Sequence, residues 1–538
     1  MATIEIGDLS VALPAGADRT HAVRDIELSI GPGEMCCIVG ESGSGKSVTA
    51  QAVMGLLPPA LRIESGSILY AGKDLCREDA ASVRAVRGSG IGMIFQDPMT
   101  ALNPLMTVEA QIDEILGIHT ALDRKARRAR VAAAVEEVYL EPERFLPLYP
   151  HQLSGGQRQR VMIAIALVLQ PKLLIADEPT TALDVTTQAQ ILHLMAELQR
   201  RHGTAVMFVT HDFGVVAEIA DSVHVMRHGE VVESGEAAEV LREPRHDYTR
   251  MLLDAVPSGD LVERDGEPPA SAPLVEVRDV SKVYIKKRLF GSERTQALDA
   301  VSFDVHVGEV LGIVGESGSG KSTVARCIAR LLEADSGRVR LDGHDFLALE
   351  GETLRRERRA IQTVFQDPFS ALNPRRTVGR SIAQGLINYG ESKGRALATA
   401  RTMLERVGLD PTAADRYPNE FSGGQRQRIC IARALVLEPR VLIADEAVSA
   451  LDVSVQAQVL ALLRDLRDQM SLTIIFITHD LRVAAELCDR LIVMREGKVV
   501  ESGAIADILL NPEAEYTRSL IDAVPGRRWE SFGARAHR

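Results

Sequence analysis

The sequence predicts an α/β fold of the doubly wound kind, built twice along the chain. Three observations carry that reading. The octapeptide GESGSGKS stands at Gly40 to Ser47 and returns letter for letter at Gly315 to Ser322. Later landmarks recur at a fixed interval: Ser422 follows Ser154, Asp445 follows Asp177 and His479 follows His211 by 268 residues each. In both halves, short apolar runs of buried-strand length alternate with amphipathic helical stretches, the pattern of a parallel sheet covered by helices on both faces. A chain of 538 residues is too long for one ordinary core, and a period of this size means two homologous domains rather than a solenoid. The predicted division is a first domain at 1–256, a linker at 257–273 and a second domain at 274–538. The linker, PSGDLVERDGEPPASAP, is rich in proline, glycine and charge and is a poor candidate for packed structure.

Taken in chain order, the apolar runs CCIV and LGIV each lead into one octapeptide, so each octapeptide joins a buried strand to a helix. That is the setting of a phosphate-binding loop. Gly40, Gly43 and Gly45, with Ser42, let backbone N–H groups close around phosphates, and Gly315, Ser317, Gly318 and Gly320 do the same in the second copy. The following helix turns the positive end of its dipole to the same anion. Lys46 and Lys321 would reach the β- and γ-phosphates of a nucleotide, and the hydroxyls of Ser47 and Ser322 would help hold Mg2+.

From Gln96 to Ser154, and from Gln366 to Ser422, the pattern turns mostly helical, which predicts an inserted helical subdomain. LSGGQRQR and FSGGQRQR then open apolar helices. Ser154 and Ser422 suit an N-cap, and Gly155, Gly156 and Gln157, like Gly423, Gly424 and Gln425, mark a second anion-binding helix start. The strands LLIAD and VLIAD end at Asp177 and Asp445, placed to reach Mg2+ through water. Their neighbours Glu178 and Glu446 would orient and polarise an attacking water. His211 and His479 close the strands VMFVTH and IIFITH. Each half then finishes on a hairpin-like stretch, HVMRHGEVVESG or LIVMREGKVVESG, with glycine at the turn.

Composition bounds the rest. The net charge of −12 gives no global attraction for nucleic acid. Two local basic runs, Arg124 to Arg130 and Arg355 to Arg359, read as solvated helix faces, with nearness to anionic lipid as the alternative. The six cysteines show no metal spacing and read as reduced and buried. No apolar run reaches the length of a membrane span, and the acidic start MATIEIGDLS is unlike a signal peptide, so the expectation is a cytoplasmic protein.

With SGGQ, the phosphate loop, the glutamine, the Asp-Glu pair, ALD and the histidine all in order, the chain resembles the ABC transporter ATPases over nearly its whole length. The resemblance implies two tandem RecA-like ABC ATPase domains, each with an N-terminal antiparallel β subdomain and an inserted helical subdomain. It implies head-to-tail pairing, so that Lys46, Ser47, Gln96, Asp177, Glu178 and His211 share one ATP with Ser422, Gly423, Gly424 and Gln425. The reciprocal site would join Lys321, Ser322, Gln366, Asp445, Glu446 and His479 to Ser154, Gly155, Gly156 and Gln157. Gln96 and Gln366 would touch Mg2+ or its water, His211 and His479 would hold the γ-phosphate, and Asp184 and Asp452 of ALD would cross the interface. Two departures stand out. Glu178-Pro179-Thr180 becomes Glu446-Ala447-Val448, and the aromatic residue expected to stack on adenine is Tyr284 in the second half but Leu13 in the first.

FQDPMTALNPLMTV and FQDPFSALNPRRTV, with the endings HDYTRMLLDAVP and AEYTRSLIDAVP, are similar to the ATPases of the oligopeptide, dipeptide, glutathione and nickel importers, here fused as in the Yej-type peptide importer. That likeness implies an ATP-hydrolysing subunit on the cytoplasmic face of the inner membrane, docked on two integral-membrane permease subunits and served by an extracytoplasmic solute-binding protein, with no nucleic acid. Some relatives carry a cysteine-rich tail holding an iron–sulfur cluster; this chain lacks that tail and no cluster is expected. The alternative is a soluble ABC-F-like ribosome-associated ATPase, whose long charged linker contrasts with the short proline-rich one here. A DNA-repair ATPase of the same superfamily would need zinc-bearing insertions that the cysteine pattern excludes. Leu13 yields a prediction: the Lys46 site binds ATP more weakly than the Lys321 site by about 1–3 kcal/mol, the worth of a base stack. Nucleotide affinity measured with Lys46→Ala or Lys321→Ala disabling one site at a time checks it, and equal affinities overturn it.

Overall fold

The computed structural model describes residues 2–257, 272–287 and 292–526, apart from residues 18, 182 and 450. All but the ends of the expected linker, 257–273, lie outside the described residues. Each half carries two sheets. In the first, an antiparallel sheet runs in the order His21–Ile30, Ile4–Ala12, Arg62–Tyr70, Lys73–Asp74. Beside it lies a six-stranded sheet ordered Glu230–Glu236, Ser222–Arg227, Met35–Val39, Ala205–Thr210, Leu173–Asp177, Ile91–Ile94. Only its Glu230–Glu236 edge is antiparallel. The second half repeats both, with the six-stranded sheet ordered Ile361–Val364, Val441–Asp445, Thr473–Ile477, Val310–Val314, Arg490–Arg495, Lys498–Ala504.

The central strands are buried along their whole length, Met35–Val39 and Leu173–Asp177 among them. A strand covered on both faces cannot tolerate polar alternation, which is why these runs read as continuous Val, Ile, Leu, Ala and Cys. One core of the first half lies between the antiparallel sheet and the parallel sheet, around Ile4, Val23, Ile38 and Ile175. The other lies on the opposite face and runs into the helical insertion, around Val39, Ile112, Val135 and Ile163. The insertion packs Val108–His119 and Arg124–Glu137 onto the helix Gly155–Leu167, as the helical reading of this segment expects.

The basic runs are tied to the body of the protein. Arg127 pairs with Asp113 at 2.8 Å, Arg130 donates to the carbonyl of Val168 at 3.1 Å, and Arg359 donates to the carbonyl of Leu437 at 3.0 Å. All six cysteines are free, five of them buried, and burial pushes the Cys36 thiol up to about 12. Among the described residues no helix is long and apolar enough to cross a membrane. Leu13 packs against the core of the first antiparallel sheet, whereas Tyr284 stands 42 % exposed on the matching sheet of the second half.

The hairpins form as expected, at Ser222–Arg227 with Glu230–Glu236 and at Arg490–Arg495 with Lys498–Ala504. They do not end the halves. Two short helices follow each, Ala237–Arg242 and Asp247–Ala255 in the first half, Ile505–Leu510 and Glu515–Asp522 in the second. The last helix of each half packs on a helix of the other: Asp247–Ala255 on Val453–Met470, and Glu515–Asp522 on Val185–His202. The halves therefore clasp one another reciprocally.

One junction breaks the symmetry. Arg482 donates to Asp480 of its own half at 2.8 Å and reaches Asp212 of the other half at 3.4 Å. Its counterpart in the repeat is Gly214, and a Cβ there would lie 2.7 Å from the Arg482 guanidinium. Glycine lets the arginine take this place without shifting. Removing the cation alone leaves two half-buried carboxylates facing one another, so Arg482→Met is expected to cost about 2–3 kcal/mol, less than for a fully buried pair, read as a fall in the thermal midpoint. Adding Asp212→Asn and Asp480→Asn to it is expected to recover part of the loss.

Candidate active sites

Each phosphate loop is shaped by a glycine that no other residue replaces without strain. Gly45 and Gly320 sit at φ 106° and 105°, in the left-handed region, directly before the helices that begin at Lys46 and Lys321. The lysine ammonium groups turn back into their own loops. Lys46 Nζ donates to the carbonyls of Gly40 and Glu41 at 2.7 and 2.9 Å, and Lys321 Nζ to those of Gly315 and Glu316 at 2.7 and 2.8 Å. Burial lowers both lysine pKa values against the opposing pull of nearby carboxylates, led by Glu178 and Glu446.

The predicted Mg2+ residues meet. Ser47 Oγ donates to Asp177 at 2.9 Å and Ser322 Oγ to Asp445 at 2.8 Å. Paired hydroxyl and carboxylate oxygens beside a phosphate loop are the hard donors this ion takes when it arrives with nucleotide phosphates, so the residues fit it. Gln96 and Gln366 turn their amides to the adjacent glutamates, donating to Glu178 at 2.9 Å and to Glu446 at 2.6 Å.

Both glutamates occupy the left-handed region, at φ 46° and 48°, a backbone cost borne at the same place in each half. His211 Nδ1 lies 3.4 Å from Glu178, and His479 Nδ1 lies 3.8 Å from Glu446. Burial pushes the Glu178 carboxyl up, but the hydrogen bond and charge of His211, with Lys46 and Thr181, hold it down to about 2. Glu446 is held below its ordinary value by the same balance of burial against His479 and Lys321. At neutral pH both are carboxylates, able to accept a hydrogen bond from water and unable to donate one. Burial pulls the His211 pKa down, and Glu178 outweighs it and raises the net value.

The two sites differ in one contact that the sequence reading missed. Thr181 Oγ1 donates to the Glu178 carboxylate at 3.0 Å, whereas Ser449, at the same place in the repeat, donates to the Glu446 backbone carbonyl at 3.0 Å. The change from Pro179-Thr180 to Ala447-Val448 leaves both acids in place, and the following hydroxyl, on Thr181 in one half and Ser449 in the other, reaches a different oxygen.

The SGGQ segments form reciprocal caps. Ser154 Oγ accepts from the Gln157 N–H at 3.3 Å while the Gln157 side chain accepts from the Ser154 N–H at 2.9 Å, and Ser422 with Gln425 repeats the pattern. The amides of Gly155, Gly156, Gly423 and Gly424 are then first-turn donors with no intrahelical acceptor. A Cβ on Gly156 would meet Thr187 at 2.5 Å, so the second glycine serves close helix packing.

The halves meet at these elements. The N–H of Ser42 donates to Asp452 of the other half at 2.8 Å. Asp184 instead caps its own helix, accepting from the Thr187 N–H at 3.0 Å, and the single Thr186 hydroxyl proton goes across to Glu316 at 2.6 Å, nearer than Asp184 at 2.8 Å. A cavity of about 110 Å³ between the halves is lined by His211, His479 and Arg482, which sets the two histidine loops on either side of one space.

The ABC transporter profile matches residues 23–181 and 298–449, both halves of this arrangement. The chain belongs to the ABC transporter family. It is an ATPase with two tandem ABC domains. A second profile, the C-terminal region of oligopeptide/dipeptide transporters, matches residues 232–288. Among curated relatives, the peptidoglycan transport ATP-binding protein YejF of Agrobacterium fabrum is 49 % identical over 528 residues, covering 97 % of this chain and 96 % of its own. The glutathione import ATP-binding protein GsiA of Pectobacterium atrosepticum is 44 % identical, covering 97 % and 89 %. A solved dimeric ATP-binding cassette in a post-hydrolysis state with ADP and Pi is 32 % identical and covers 43 % of this chain and 98 % of its own, with a TM-score of 0.39.

Since each half holds a complete glutamate, histidine and glutamine set, Glu178→Gln and Glu446→Gln are each expected to leave part of the hydrolysis, and the double variant none. Phosphate release by the three purified chains checks this; a Glu178→Gln effect already contained in Glu446→Gln overturns it.

Proposed function

We propose that the chain is the ATP-hydrolysing subunit that powers import of peptides or related small solutes through a pair of integral-membrane permease subunits, peripheral to the cytoplasmic face of the cell membrane, with an extracytoplasmic solute-binding protein as part of the complex. The observation that carries this reading is the oligopeptide/dipeptide transporter match over residues 232–288, set beside the transport and import relatives that span nearly all of the chain. Those relatives give the ribosome-associated alternative no support.

In this reading each ATP lies between one phosphate loop and the other half's SGGQ helix, one site using Lys46 with Ser422, Gly423, Gly424 and Gln425, the reciprocal one Lys321 with Ser154, Gly155, Gly156 and Gln157. Backbone N–H groups of the loop and the lysine hold the phosphates, and the glycine amides of the facing helix receive the γ-phosphate. Ser47, Asp177 and Gln96, or Ser322, Asp445 and Gln366, would hold Mg2+, which offsets charge on the phosphate oxygens. The Glu178 and Glu446 carboxylates accept a hydrogen bond from the attacking water and orient it in line, while His211 and His479 steady the γ-phosphate. ATP binding favours the closed pair and hydrolysis lets it part, and that difference in free energy is what the permease pair receives.

The test is to tag the chain in its native cell, solubilise membranes in mild detergent and identify what copurifies by mass spectrometry. Two polytopic permease subunits are the expected result. Ribosomal proteins with no permease would overturn it.

A further inference from the structure

The second letter of each octapeptide has no part in the phosphate chemistry above, yet Glu41 and Glu316 both make hydrogen bonds across the interface. Glu41 Oε1 accepts a short hydrogen bond from Ser454 Oγ of the other half. Its other oxygen, Oε2, accepts from the Tyr248 hydroxyl at 2.9 Å, and the Glu41 N–H donates back to that hydroxyl at 3.4 Å. In the repeat, Glu316 Oε1 accepts from Thr186 Oγ1 of the other half at 2.6 Å, and the Glu316 N–H donates to the Tyr516 hydroxyl at 3.1 Å.

The partners are placed with purpose. Tyr248 and Tyr516 belong to the last helix of each half, are almost fully buried, and lie under the guanidinium groups of Arg227 and Arg495, 4.6 and 4.9 Å from the ring centres. Ser454 and Thr186 each stand two residues after the aspartate of ALD. The same last helix packs on the very helix that Ser454 or Thr186 begins. Burial, joined by the Glu41 carboxylate, raises the Tyr248 pKa, which keeps its hydroxyl a donor.

We propose that Glu41 and Glu316 are positioning residues that read the interface for the phosphate loop, each joining the hydroxyl beyond the other half's ALD segment to the tyrosine of its own C-terminal helix. The loop is then held in its hydrolytic shape only while the halves are closed and that helix is seated. Ser42, whose N–H meets Asp452, and Lys46, which donates to the Glu41 carbonyl, lie within five residues of the junction, so a shift of Glu41 is felt where phosphate binds. The C-terminal helices thereby become a control point for ATP hydrolysis, whatever solute is carried.

Steady-state ATP hydrolysis by the full chain tests this. The hydroxyls are removed from both tyrosines (Tyr248→Phe with Tyr516→Phe), from both cross-half partners (Ser454→Ala with Thr186→Val), and from all four. Each pair is expected to lower kcat about five- to tenfold, the net worth of one ordinary hydrogen bond, with the KM for ATP changed by less than about twofold. In the first half both hydroxyls meet the Glu41 carboxylate, and in the second they meet one residue, Thr186 at the Glu316 carboxylate and Tyr516 at its N–H, so the variant lacking all four hydroxyls falls no further than the more impaired of the two pairs. Ser454→Thr with Thr186→Ser, which keeps both hydroxyls, retains the parent kcat. An unchanged kcat in either pair, a fourfold loss equal to the product of the two, or a loss shared by the hydroxyl-keeping variant overturns the proposal.

Discussion

The structure depends on one incomplete object, a phosphate loop that supplies donors from one side only. Gly40 to Ser47 can surround two or three phosphate oxygens with N–H groups and one ammonium, but a loop between a strand and a helix cannot also cover the far face of the γ-phosphate. The second half lies against that open side, and the hydrogen bond from Ser42 N–H to Asp452 marks the seam. Everything that brings the halves to this register serves the same need. The reciprocal packing of the last helices, the Thr186 contact with Glu316 and the buried Arg482 bridge all hold the loops opposite their partners.

The two sites share a plan without being equal. Glu178 has a threonine hydroxyl on its carboxylate and Glu446 has none from the matching serine. Asp452 reaches the opposing loop directly, whereas Asp184 caps its own helix and leaves the crossing to Thr186. Arg482 occupies a place that a two-fold axis would give to two residues, and Gly214 yields it. Fusion of the halves into one chain makes such asymmetry possible, since a change in one copy need not appear in the other. A homodimer of the second half would place two arginines at that point, with two like charges in contact, and one of the first half would place none.

Much of this was legible in the sequence. Phosphate loops, SGGQ and the Asp-Glu strand ends are local motifs that fix strand, turn and helix, and the structure brings Ser47 to Asp177 as they imply, while Gln96, placed by the family resemblance alone, meets Glu178. The hairpins were also plain, because glycine marked each turn. What escaped were contacts made between halves, where neither partner carries a local signature. Arg482 and Glu41 carried no role in the motifs and went unremarked. A signal did exist for each. The octapeptide kept glutamate in both copies where phosphate chemistry does not ask for it, and the alignment of the repeats set Arg482 against Gly214.

The same logic explains why the C-terminal helices matter beyond packing. A tyrosine on a helix could bury its ring anywhere in a core; a buried tyrosine must still satisfy its hydroxyl. Tyr248 satisfies it at the phosphate loop of its own half, while the body of its helix lies on the other half. The Tyr248 ring lies in the core of its own half and its hydroxyl on Glu41, which also takes the Ser454 hydroxyl of the other half, so the link is sensitive to the relative position of the halves, because a hydrogen bond fades within fractions of an ångström of displacement. Helices that only stapled the halves would need apolar contact alone. These carry a polar link to the loop that binds phosphate, and so the free energy of seating them is joined to that of setting the site.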